Sequence, residues 1–179
     1  MELNKLAAEL HEAALAKGFW DVEDACKKHV VKMLSELGEV VQADRAGIMY
    51  EIERDGAKPE GVAAELADFV MMALDFCAAM EIDIERMLIG ITYDSVRARV
   101  ESEMRDSSIP DLVLMMDSAL NTLTEPDPDG FNAFGTALLS VVYLPRLWLE
   151  LRGYDLFEII RLKMEYNQKS RAYLHGRKY

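Results

Sequence analysis

The chain has 179 residues, 51% of them apolar, which suits one globular domain with a sizeable core and argues against disorder. Its 32 acids against 20 bases leave a formal charge of −12, which repels nucleic-acid backbone and anionic membrane, so neither is an expected partner. Cys26 and Cys77 fit no pairing framework and no CxxC pattern, Met1–Lys5 does not read as a secretory start, and the apolar runs fall short of the roughly 20 residues of a membrane span. The expectation is a soluble cytoplasmic protein whose two thiols are buried and reduced.

With 10 glycines and 5 prolines, and apolar residues recurring every three or four positions, the whole chain reads as helix. A first helix is predicted over Leu3–Lys17, stopped by Gly18, and a second over Val22–Ala46, stopped by Gly47. After a polar connection holding Asp55-Gly56 and Lys58-Pro59, a third starts near Glu60 and runs to Met80. Asp83 is a good N-cap for a fourth, to Arg105. Ser107-Ser108-Ile109-Pro110 opens a fifth, Thr124–Gly130 is a loop, and two more follow over Phe131–Leu151 and Asp155–Tyr173. The predicted fold class is all-α, an antiparallel helical bundle forming a single domain over residues 1–179.

Two stretches look alike at a shift of 72 residues. Asp83 then matches Asp155 as a cap, each preceded by a long apolar helix, and Tyr93-Asp94 falls almost on Tyr166-Asn167. Either this is an internal duplication, or two hairpins with short turns look alike by construction. In a true copy the second half is degenerate, because Ala137 and Ser140 stand where the first half has Glu65 and Asp68.

Helix two carries Glu36 and Glu39, and helix three carries Glu65 and Asp68. Three residues along a helix is about 300° of rotation, so each pair shares a face one turn apart, where like charges repel without a counterion. In helix three Glu65 falls between Phe69 and Met72, inside the apolar stripe. A carboxylate there is costly to ionise alone, so an ionised cluster implies cations. In helix two the expected stripe is Val30, Leu34, Leu37 and Val41, with Met33 and Val40 on its shoulder and the two glutamates beyond. A solvated acidic face is the plain reading of the first pair alone; the second pair makes a shared four-carboxylate site the stronger reading. Hard oxygen donors select Mg²⁺, with Mn²⁺ an alternative, over Zn²⁺. Asp75 reads as a surface acid or an outer ligand. No Glu-x-x-His, HExxH, calcium loop or phosphate loop competes.

Residues 151–179 hold seven bases against three acids, the reverse of the rest of the chain. Lys163, Asn167 and Arg171 recur at i, i+4 and i+8 on one side of the last helix, a set suited to phosphate oxygens, although cations near a helix C-terminus also serve its dipole. Metal-held acids beside a cationic strip would grip a nucleoside triphosphate, with Glu36 or Glu39 accepting the proton of an attacking water. Phe19, Trp20 and Trp148 are candidates to stack on a base, or core aromatics.

Glu36-x-x-Glu39, 25 intervening residues and Glu65-x-x-Asp68 resemble the hallmark of the all-α nucleoside triphosphate pyrophosphohydrolases, the superfamily of MazG-like proteins, dimeric dUTPases and phosphoribosyl-ATP pyrophosphohydrolase. Lys17-Gly18-Phe19-Trp20 and the tail from Lys163 through Asn167 and Arg171 to His175-Gly176 look MazG-like in particular. The resemblance covers about residues 17–99, the catalytic half, and 155–179, within a second half at about 107–179. It implies that Glu36, Glu39, Glu65 and Asp68 hold Mg²⁺, that Lys163 and Asn167 contact substrate phosphates with Arg171 and Lys178 as further candidates, and that the chain works as a homodimer or higher homo-oligomer. The implied reaction converts a (deoxy)nucleoside triphosphate to the monophosphate and pyrophosphate, in house-cleaning or pool control. Two other readings stay open, a non-catalytic acidic helical interaction protein and the same fold acting on a phosphoribosyl-nucleotide.

Overall fold

The computed structural model describes residues 2–21, 23–51, 58–88, 94–124 and 131–169. Those residues are helical throughout, apart from turns and one isolated antiparallel bridge between Glu51 and Glu60. The helices are α1 (Leu3–Ala16), α2 (Ala25–Ala46), α3 (Val62–Ala79), α4 (Ile84–Leu88), α5 (Asp94–Asp106), α6 (Ile109–Thr124), α7 (Phe131–Glu150) and α8 (Leu156–Lys169). None of them is long and apolar enough to cross a membrane. The chain is all-α, as its periodicity predicts. The predicted fourth helix is described as α4 and α5, with 89–93 between them outside the described residues.

The predicted stops and caps act through identifiable bonds. Gly47 adopts a left-handed conformation, φ 73°, and its N–H closes the last turn of α2 on the Asp44 carbonyl. Asp83 accepts from the Arg86 N–H at 3.0 Å and from the Asn4 side-chain amide at 2.7 Å, while Asn4 accepts from the Ile84 N–H, so one cap also ties α4 to α1. Asp155 caps α8 through the Phe157 N–H at 2.9 Å. Ser108 and Asp111 bond reciprocally at the start of α6, a capping box with aspartate in the acidic position.

Helix α3 is the centre. It packs on α1, α2, α7 and α8, and its Leu66, Phe69, Val70 and Leu74 are fully buried. A second hairpin, α6 and α7, packs on it through α7 and on α2 through α6. The apolar stripe of α2 differs from the expected one: Val30, Met33, Leu37 and Val40 are buried, whereas Leu34 and Val41 are only half-buried. The helix is rotated so that the expected shoulder is the centre, which turns Glu36 toward α3. The cysteines split against expectation, since Cys77 is buried and Cys26 exposed. Burial pushes the Cys77 thiol up to about 12, so it is inert at neutral pH.

Candidate metal and phosphate site

Helix α3 starts at Gly61, where φ is 98° and a Cβ would lie 2.9 Å from Ile48. This close approach locks the first turn of α3 against the segment after α2, with the Val62 and Ala63 N–H groups bonded to the Ile48 and Met49 carbonyls. The carboxylate of Glu65 is thereby held one turn into α3, facing α2.

One carboxylate oxygen each from Glu36, Glu65 and Asp68 falls within 4.8 Å of the others. Glu65 is 7% exposed and its Oε2 is buried with no hydrogen-bond partner. Burial, then repulsion from Asp68 and Glu39, pushes the Glu36 carboxyl up to about 7. Burial also raises Glu65, against the pull of Lys163. Glu39, the fourth predicted ligand, is exposed and outside that trio, but lines the same cleft and adds to the repulsion felt by Glu36 and Glu65.

Lys163 sits among the acids. Its side chain is 3% exposed, and Nζ bonds Asp68 Oδ2 and donates to the Ala64 carbonyl at 2.6 Å. Glu65 Oε2 lies 3.6 Å from Nζ, too far for a hydrogen bond, which is why it remains unpartnered. The ammonium thus supplies one positive charge to the acid group from behind, whereas Asn167, one turn further along α8, lines the cleft. Arg171 and Lys178, with the His175-Gly176 tail, lie outside the described residues.

The cleft in front of the acids encloses about 270 Å³ between α1, α2, α3 and α8. Lys17, Lys32 and Lys58 line it, three cations that the periodicity of their helices and loop does not single out. Phe19 forms part of the wall. Trp20 stacks on His29 at 4.8 Å, and Trp148 is buried elsewhere, its indole donating to the Ser107 carbonyl under the Arg152 guanidinium. Asp75 is neither a surface acid nor an outer member of the trio. It is buried, and accepts from His11 at 2.7 Å and from the Trp20 indole at 3.1 Å, because α1 and the turn after it fold over this part of α3. His29 donates Nε2–H to the Met72 carbonyl, and burial holds its pKa below the ordinary value.

Three oxygen donors within reach of one point, one of them buried and unbonded, together with an exposed fourth, fit a hard divalent cation that keeps several waters. The donor set offers no thiolate or imidazole to a softer metal. Compared with protein-family models, curated proteins and solved structures, the chain matches none.

Proposed function

We propose that the chain is a Mg²⁺-dependent nucleotide pyrophosphohydrolase of the all-α superfamily that its sequence resembles, converting a (deoxy)nucleoside triphosphate to the monophosphate and pyrophosphate. The observation that carries this reading is the convergence of Glu36, Glu65 and Asp68, the first and last of which line the cleft, with Glu65 Oε2 buried and unbonded beside them. Glu36, Glu65 and Asp68 are the ligands, and Glu39 completes the set from its exposed position. A bound Mg²⁺ or Mn²⁺ would lower the pKa of a water and offset charge on the phosphate oxygens in an in-line displacement. Glu39 or Glu36, on the cleft side of the group, takes the proton as the water oxygen bonds to phosphorus and the anhydride P–O bond breaks. Lys163 holds Asp68 in place through its bond to Oδ2, and Asn167 presents an amide to phosphate oxygens at the cleft wall.

A panel of dNTPs, NTPs and dUTP, with pyrophosphate detection, tests the reading. Pyrophosphate release in Mg²⁺ and none in EDTA is expected, with E36Q and E65Q lowering turnover at least ~10³-fold at unchanged helical circular dichroism. No release from any substrate overturns it. One observation favours a second reading, a metal-free structural network: Lys163 already places a cation against Asp68 and Glu65. In that case Mg²⁺ leaves the melting temperature unchanged.

A further inference from the structure

The cleft holds a second group of like charges that the proposed function leaves unused. Lys17 caps the C-terminus of α1 and Lys32 lies on α2; both line the cleft. Lys32 Nζ stands 4.4 Å from the centre of the Phe19 ring, which the turn at Gly18 (φ 74°) carries into the same wall. Burial and the nearby Lys32 both lower the Lys17 pKa. Among the described residues neither ammonium has a carboxylate within ion-pair distance. Asp75, an acid in the same cleft, is committed to His11 and Trp20.

Two half-buried ammonium groups near each other, with no carboxylate at ion-pair distance, repel as like charges do, and Lys17 also loses hydration by burial. The acids are relieved by a cation and the lysines by an anion. Lys32 stands one helical turn, about 6 Å along the axis, before Glu36, so one extended ligand can meet both groups. Lysine ammoniums act as point charges toward phosphate oxygens, and the Phe19 ring keeps water from one side of Lys32.

We propose that Lys17 and Lys32 form an anion subsite for the polyphosphate group of the substrate, in the same cleft as the carboxylates assigned to the metal, with Lys32 one helical turn from Glu36. The identity of the ligand rests on the pyrophosphohydrolase reading; the existence of an anion site rests on the two lysines alone.

Titration calorimetry of inorganic tripolyphosphate into the full chain in Mg²⁺ tests the subsite. The wild type is expected to bind, K17M and K32M each to bind about tenfold more weakly, and K32R to recover most of the loss. Mn²⁺ affinity, read separately by paramagnetic resonance without any phosphate, is expected to stay within about twofold of wild type in K17M and K32M, since neither residue is a ligand. The subsite is overturned by absence of tripolyphosphate binding in the wild type, by unchanged affinity in both variants, or by a fall in Mn²⁺ affinity as large as the fall for the anion. Lysine-dependent tripolyphosphate binding without hydrolysis of any nucleotide keeps the subsite and removes the enzymatic reading. Hydrolysis with KM and tripolyphosphate affinity unchanged in both variants does the reverse.

Discussion

Glu36 shows what the acid group costs the fold without a cation. Its carboxyl is pushed up from 4.5 to about 7, so the native chain takes up a proton that the unfolded chain releases between those values. Stability from this group is therefore fully present below about pH 4.5 and is lost as pH rises through about 7. His29 works in the opposite sense, because its lowered pKa costs stability as pH falls. Comparison with E36Q isolates the first effect. In EDTA the wild type is expected to lose on the order of 1–3 kcal/mol more than E36Q between pH 5 and pH 7.5, measured by thermal melting at both values. An identical pH dependence for the two proteins would remove Glu36 from the cluster's electrostatics. The i, i+3 spacing made both acid pairs legible, since it follows from helical geometry alone, and the place of Glu65 in the apolar stripe correctly implied burial. Lys163 was legible as a cation but not as a neighbour of Asp68, because its partner lies 95 residues away and no spacing rule spans that separation. Lys17 and Lys32 carried only a weak signal, one turn before Glu36 in the case of Lys32, which a solvated face explains equally well.

At the level of elements, two glycines near the site make opposite demands. Gly61 has a positive φ and its missing Cβ would meet both the side chain and the carbonyl of Ile48 at 2.9 Å, so backbone must move to admit any side chain. G61A is expected to cost about 1–3 kcal/mol, seen in melting, and to weaken Mn²⁺ binding, because the Gly61 carbonyl accepts from the Glu65 N–H and sets the first turn of α3. Gly38, between the two glutamates of α2, has no atom within 4 Å of a built Cβ. G38A is expected to stabilise by about 1 kcal/mol, raising the melting temperature by about 2–4 °C, since alanine is the better helix former and nothing obstructs it. A destabilised G38A would mean that the open face of α2 is covered in the native assembly. Helix stops were legible wherever a glycine ends an apolar period, as at Gly18 and Gly47. The rotation of α2 was not, because its stripe is wide enough to centre on Leu34 or on Met33, and packing against α3 and α6 decides between them.

Over the whole molecule, the charge of −12 divides into exposed acids and a group concentrated where α2 and α3 meet. The second hairpin sharpens the division. The hairpin of α6 and α7 has its own pocket, lined by Ser118, Thr122, Ala137 and Ser140, and this carries no carboxylate where α3 has Glu65 and Asp68. A divalent cation and a monovalent salt should therefore act differently. Sodium chloride screens the exposed acids over a Debye length of about 10 Å at 0.1 M and acts less on the trio, in which Glu65 is buried and Glu36 and Asp68 are half-buried. Mg²⁺, if held by the trio as proposed, would stabilise by mass action, about 2.7 kcal/mol at 100 times its dissociation constant, or about 5–10 °C in a chain of this length. Because α3 packs on α1, α2, α7 and α8, relief of its acids is felt in the global transition rather than in a local opening. At pH 7.5, millimolar Mg²⁺ is expected to raise the melting temperature by several degrees more than sodium chloride at equal ionic strength, and E65Q to abolish the difference. Equal shifts from the two salts would assign the trio, with Lys163, to structure alone, and the metal-dependent reading would fall with it.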